Sequence, residues 1–412
     1  MKTIFLRFLP FWIFLVFFKF AGALHYSLIS PLGNGLLPLW VVGLLMGGGS
    51  IVQLLLDVPA GRILDKYGYL KFLKLTTFVF LFAGAALLFG LTTVSYLTSV
   101  VIATFGWVFF GPGVNAYILS YAPKEHAGKF ISLRDVYGSL GVVLASASLP
   151  LVLLLPVRLI GAVLIALFAV SYIALSFAPP DAGSIREEKL PTQHYYIRRH
   201  RMRTAFRAMK KLNPASTMLL LSGFAASIFY GVIWFVVPLV IATQGNSELL
   251  GIGLGMFDFA VVMLGFFLGG LADRANKRTL VFFGLLIFSI AGMLLGFNFG
   301  WLFLLFGFLA TSGDEMAGIS LWSWLHALDK EHDRDGLIAG IVNLFDDLGW
   351  AIGPIVAGAL YAAIGPTWAI VLGALPIFAT WLSYQFIVRM HATNIPHDGP
   401  VPRKPHRARY RK

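Results

Sequence analysis

Apolar runs of about 20 residues, separated by short polar breaks, recur along the whole chain. A helix needs about 20 such residues to cross a bilayer's ~30 Å hydrocarbon core. Backbone in lipid must satisfy its hydrogen bonds internally, so each run predicts a membrane-spanning helix. The pattern predicts twelve, at roughly 9–31, 37–60, 71–91, 96–121, 130–155, 158–178, 215–243, 249–272, 278–297, 300–327, 337–363 and 367–389. The expected fold class is an all-α membrane protein. The first run imitates a secretory signal, with Lys2 and Arg7 before it and Ala21-Gly22-Ala23 within it. Lys19 interrupts it, and apolar residues resume through Leu24, Leu28, Ile29 and Leu32, so we read it as a retained first span.

The polar breaks alternate in charge. Arg62, Lys66, Lys71 and Lys74, then Lys124 and Lys129, then Arg274, Lys277 and Arg278, then Lys330 and Arg334 fall in every second break. The intervening breaks carry no Lys or Arg apart from Arg158. Positive loops stay on the cytoplasmic side, so both termini are expected in the cytoplasm and the location at the cell's inner (plasma) membrane. Composition agrees: 58% of residues are hydrophobic and 12% charged, against about 25% charged in soluble domains. The net charge of +13 is accounted for by loops and tails, so no nucleic-acid partner is implied. The absence of cysteine removes thiolate catalysis and thiolate metal sites. The soluble segments hold no phosphate-binding P-loop and no catalytic domain, which argues against an ATP-driven pump and against an enzyme. No cofactor or metal is expected.

The longest polar stretch, 179–213, has nine Lys/Arg against three acids. Within it Tyr195, Met202, Phe206 and Met209 fall on one helical stripe. A helix lying on anionic lipid headgroups has this character, as does a solvated basic linker. The tail 391–412 is basic and Pro-containing.

The chain repeats itself. "GRILDKYGYLK" (61–71) and "GGLADRANKRT" (269–279) each place Asp four residues after Gly and a cation next, and 273 − 65 = 208. The same offset relates Gly43 to Gly251, Gly47 to Gly255, Gly128 to Gly336, Gly141 to Gly349 and Asp135 to Asn343. Repeated halves with sites at their interface are the architecture of secondary transporters. The expected organisation is a six-helix bundle over 1–180, a basic cytoplasmic linker over 181–213, a second, pseudosymmetric six-helix bundle over 214–390, and a cytoplasmic tail over 391–412.

The loop signature, with its lead-in "DVPAGRILDKYG" and its weaker second copy in which Asn276 replaces a Gly, resembles that of the major facilitator superfamily. The resemblance spans the chain and implies transport by alternating access. It also implies a cytoplasmic latch: Gly61, Asp65, Lys66 and Gly68 against the eleventh span with Arg334, and Gly269, Asp273 and Arg274 against the fifth span with Arg134. Two features depart from efflux members. The fourth span, "FGWVFFGPGVNA", has no Arg, and the fifth has Ala145 and Ser146 where the eleventh has Gly353 and Pro354.

Ionisable groups inside spans cost about 2.5–3.5 kcal/mol each at mid-helix, so each is a functional candidate. Asp314, Glu315, Asp346, Asp347 and Asp258 are candidates for proton coupling, because acids gathered in a low-dielectric cavity resist joint ionisation. Lys19, His25, Asn115, Tyr230 and Trp322 are candidates for the solute cavity; Trp234, Trp324 and Phe110 are further aromatics that could line it. Lys19 and Arg134 also fit structural pairing with acids.

The leading expectation is a proton-coupled secondary carrier, acting as a monomer and exporting a small amphipathic or cationic compound. Uptake of a small metabolite or sugar by proton symport is the alternative. A transporter-like sensor or scaffold is the third.

Overall fold

The structure, a computed structural model, describes residues 7–121, 127–180, 214–244, 247–274, 276–297, 300–328 and 335–390. Eleven helices occupy them: α1 (Leu9–Gly33), α2 (Leu39–Tyr67), α3 (Tyr69–Leu87), α4 (Thr93–Tyr121), α5 (Ala127–Leu153), α6 (Val157–Ser176), α7 (Pro214–Gln244), α8 (Ser247–Arg274), α9 (Lys277–Leu295), α10 (Trp301–Leu328) and α11 (Asp335–Met390). Ten are long and apolar enough to cross a membrane. No strand forms among the described residues.

The expected last two spans are joined in α11, which is 56 residues long. Gly365 breaks the helical path at φ 84, and Pro366 follows with a φ suited to a helix start and no N–H to satisfy. The segment is thus two arms joined without a loop. The opening motif makes a similarly abrupt turn. Gly68 takes φ 96 and donates its N–H to the Leu64 carbonyl, so α2 ends at Tyr67 and α3 begins at Tyr69. A side chain at that φ would be strained, which explains the Gly. The basic linker 181–213 and the tail 391–412 lie outside the described residues.

α1 and α7 sit at the centre. Phe8, just before α1, and Phe11, Trp12, Phe14 and Phe18 within it are buried, and the Phe18 ring stacks on Phe110 of α4 with centroids 4.1 Å apart. α7 is buried on all sides between Phe229 and Val240 except at Tyr230, as expected of a helix apolar all round. α1 packs on α5 and α6, and α7 packs on α11.

Two seams connect the early and late parts of the chain: α2 against α11, and α5 against α8. Their contacts keep the 208-residue offset. A Cβ on Gly43 would overlap the Pro354 carbonyl oxygen; on Gly251 it would meet that of Ser146 at 2.8 Å. Gly47 lies against the Ala351 carbonyl and Gly255 against that of Val143. Away from the seams the same offset holds: on α11 Gly349 touches Phe224, Ser227 and Ile228 of α7, while on α5 Gly141 touches Val16, Lys19 and Phe20 of α1. Each partner is displaced by the offset that relates the glycines. Small residues let helices approach closely, so Gly43, Gly47, Gly141, Gly251 and Gly349, read as repeats in sequence, are points where helices press together.

The close glycine contacts of the two seams lie near the start of α2 and α8, with Gly358 also against Leu39. They close the bundle at the end that carries the 34–38 connection.

Candidate functional site

Below the sealed end lies a cavity of about 650 Å³, within the range of small-molecule sites. α1, α2, α4 and α5 form most of its wall, and α7, α8 and α11 complete it. Its roof is aromatic. Tyr26 and Trp234 meet edge to face with centroids 6.4 Å apart, and Trp350 approaches Tyr26 at 6.2 Å. Tyr26 and Trp234 are themselves related by the repeat. Positions equivalent in the sequence repeat thus meet at the cavity roof.

Charge is concentrated on the walls. The Lys19 ammonium lies 5.5 Å from the Trp107 ring centroid and 5.4 Å from that of Phe110. Both are cation–π distances. Asp258, Arg134 and Asp135 are its electrostatic neighbours. Asp258 on α8 accepts a hydrogen bond from the Ser139 hydroxyl on α5 at 3.1 Å, which ties the seam across the cavity wall. Asp347 lines the opposite seam, together with Ser50 of α2. The repeat relates Ser139 to Asp347 and Asp258 to Ser50. Each seam therefore presents one carboxylate and one hydroxyl, with the two residue types exchanged.

Arg134 pairs with Asp135 at 2.6 Å and donates to the Asn115 side-chain oxygen. Asp135 is 47% exposed, which marks the open mouth of the cavity. The cavity wall thus engages the cation that the family resemblance assigned to a latch. The side chains of Gly61, Asp65, Gly269, Asp273 and Arg274, and all of Arg334, lie outside the described residues. Lys66 is exposed, with its ammonium 5.0 Å from the Tyr67 ring.

The remaining candidates divide. His25 lines the cavity and bonds the Ser99 hydroxyl at 2.9 Å. Ser99 in turn donates to the Ala83 carbonyl, so the imidazole Nε2–H is the donor to Ser99, and His25 ties α1 to α4 and α3. Phe110, Trp234 and Asn115 line the cavity. Tyr230, Asp314, Glu315, Asp346 and Trp322 are not among its lining residues. The Tyr230 hydroxyl donates to Asp314 at 2.8 Å and its ring stacks on Phe288, so this pair sits behind the wall. Glu315 stands in electrostatic range of Asp135 and Asp258. Asp346 packs against the backbone of Gly223, where a Cβ would come within 2.5 Å of its carboxylate. Trp322 is 40% exposed; the Trp324 side chain is outside the described residues.

Removing the Tyr230 hydroxyl leaves a carboxylate oxygen unanswered inside the bundle. Tyr230→Phe is expected to cost about 1–3 kcal/mol, read as a lower melting temperature that Asp314→Asn partly restores in the double variant.

Ser139 and Ser50 drew no notice in sequence. The signal that could have found them is the offset itself, which places each opposite an intramembrane aspartate of the other half.

The sequence pattern of the Major Facilitator Superfamily matches residues 1–146 and 219–409. No curated protein matches at the sequence level. Among solved structures, the nucleoside transporter NupG superposes with a TM-score of 0.68 at 14% identity, covering 93% of this chain and 98% of that one; a mutant of NupG gives 0.69 at 13%, covering 93% and 99%. A bacterial homologue of the human lysosomal transporter Spinster, inward-facing and unoccupied, gives 0.66 at 15%, covering 93% and 95%. At these identities the likeness is one of fold. The sequence match covers most of the chain and agrees with the seams and central cavity. The chain therefore belongs to the major facilitator superfamily, and it is a transporter rather than an enzyme.

Proposed function

We propose that the protein is a proton-coupled secondary carrier in which two six-helix halves, 1–180 and 214–390, rock about the roof of the central cavity. Counting the two arms of α11 separately gives twelve crossings. The sealed end is extracellular by loop charge, so the cavity opens to the cytoplasm.

The observation that carries this reading is the Ser139–Asp258 hydrogen bond across the α5·α8 seam, inside the cavity and in range of Lys19. A carboxylate sealed away from water costs several kcal/mol while ionised unless it is well paired. Protonation removes that charge and turns the group into a donor. Proton binding at Asp258 thus favours occlusion, and release favours the open state, which couples proton movement to the rocking of the halves. Asp347 does the same on the opposite seam.

The solute is a small amphipathic or cationic organic compound moved outward. Aromatic rings of the roof take its apolar part, and the wall acids take its positive charge. Lys19 and Arg134 favour a second reading, uptake of a small polar metabolite by symport.

Proteoliposomes holding a pH-sensitive dye and an imposed proton gradient test the proposal against panels of organic cations, nucleosides, amino acids and sugars. The expected result is proton movement that appears only with a transported solute and runs opposite to it. Co-directional movement establishes symport. Solute flux indifferent to the gradient removes the coupling.

A further inference from the structure

A second groove lies on the outside of the bundle, between the start of α3 and the end of α6. Its volume is about 680 Å³ and it shares no residue with the central cavity. Lys71 and Lys74 stand on its rim, with Leu75, Phe78, Tyr172 and Pro180 forming walls and floor. Neither lysine has a carboxylate partner among the described residues, whereas Lys66 nearby rests over a tyrosine ring.

The face of α3 continues the pattern away from the rim. Lys71, Leu75, Phe78 and Phe82 follow at steps of four, three and four residues, which is one helical stripe. Leu75, Phe78 and Phe82 are 48%, 47% and 51% exposed. The stripe therefore begins with cations at the water interface and runs as bare apolar surface toward the bilayer centre. Lysines at this depth place ammonium groups at the level of lipid phosphates. They also sit in the first two turns of α3, where the helix dipole disfavours positive charge. A bound anion offsets both costs.

We propose that this groove holds one anionic phospholipid, its phosphate between Lys71 and Lys74 and an acyl chain along Leu75, Phe78 and Phe82. The two ammonium groups distinguish an anionic lipid from a zwitterionic one. The apolar stripe distinguishes a lipid from free phosphate. Through the Gly68 turn the site is covalently continuous with the α2–α3 loop, so an occupied groove braces that loop.

The test uses the full chain purified in neutral detergent. Native mass spectrometry and melting curves are recorded with phosphatidylglycerol, with phosphatidylcholine and with inorganic phosphate. The expected result is one retained phosphatidylglycerol and a raised melting temperature, with neither effect from the other two. Lys71→Gln with Lys74→Gln should weaken retention about thirtyfold, from about 1 kcal/mol per lysine. Lys71→Arg with Lys74→Arg should keep it, and Arg158→Gln, a charge lost at the opposite end, should leave it unchanged. Equal retention of phosphatidylcholine, an equal response to inorganic phosphate, or full retention by the double Gln variant would overturn the proposal.

Discussion

Gly47→Val is expected to stop transport and to unseal the closed end of the bundle. A Cβ at this position overlaps the carbonyl oxygen of Ala351, and a backbone oxygen inside a helix cannot rotate aside. Overpacking of this kind costs about 1–3 kcal/mol. The cost falls on the state in which α2 meets α11, so the open-seam population should rise about 5- to 150-fold. The chain has no cysteine, so one introduced at Ile29, a cavity residue 6% exposed, reports the change through labelling by an impermeant maleimide from the sealed side. The equivalent Gly255→Val provides the contrast. Its nearest neighbours lie at 3.6 Å, ordinary contact, so its effect should be far smaller. Matching effects at the two positions, or unchanged labelling in Gly47→Val, would show that the seam is not a gate.

Asp258→Asn is expected to uncouple the carrier. The substitution keeps the shape of the side chain and its place beside Ser139 but cannot take up a proton. Net flux should then cease to follow the pH gradient, while exchange of solute for solute continues. Ser139→Ala removes only the partner hydroxyl, with a loss of about 1.5–3 kcal/mol for a hydrogen bond to a charged group. Lys19 tests the same pair from the other side. Lys19→Met leaves Asp258 without its cation, and the double variant with Asp258→Asn should recover part of the loss. A coupling energy of about 0.5–3 kcal/mol is expected for groups that interact. Additive effects would show that the two do not sense each other, and gradient-driven flux in Asp258→Asn would move the coupling elsewhere, with Asp347 and Glu315 next in line.

The all-helical character of the chain was legible because lipid imposes one solution on apolar segments of this length. The 208-residue repeat was legible because glycines at close helix contacts are hard to replace: Gly43 and Gly251, Gly141 and Gly349, and Gly47 of the remaining pair sit at close approaches, whereas Gly255 makes only ordinary contact. The count of separate helices was not, because Gly365 and Pro366 turn the chain without the polar break that marks other ends. Among the acids, sequence could name Asp258, Asp314, Asp346 and Asp347 but could not sort them. All four lie within apolar runs of the sequence, and only rotation about each helix decides which faces the cavity. Asp346 and Asp347 differ by about 100°, enough to place one against Gly223 and the other in the cavity wall. Tyr230 is a solute-cavity candidate by sequence, yet in the fold its hydroxyl donates to Asp314.

By itself the sequence determined what depends on local chemistry: which segments are long and apolar enough to form membrane helices, which of the breaks between them carry positive charge, and that a Gly-Asp pattern recurs at a 208-residue offset. Only the tertiary structure decided what depends on bringing distant segments together. It joined Ser139 to Asp258, 119 positions apart, set Lys19 beside Trp107 and Phe110, and placed Tyr26 against Trp234 at the roof. The reason is geometric. Hydropathy records how far a residue is from water along one helix, whereas a binding site is a matter of which faces of several helices converge.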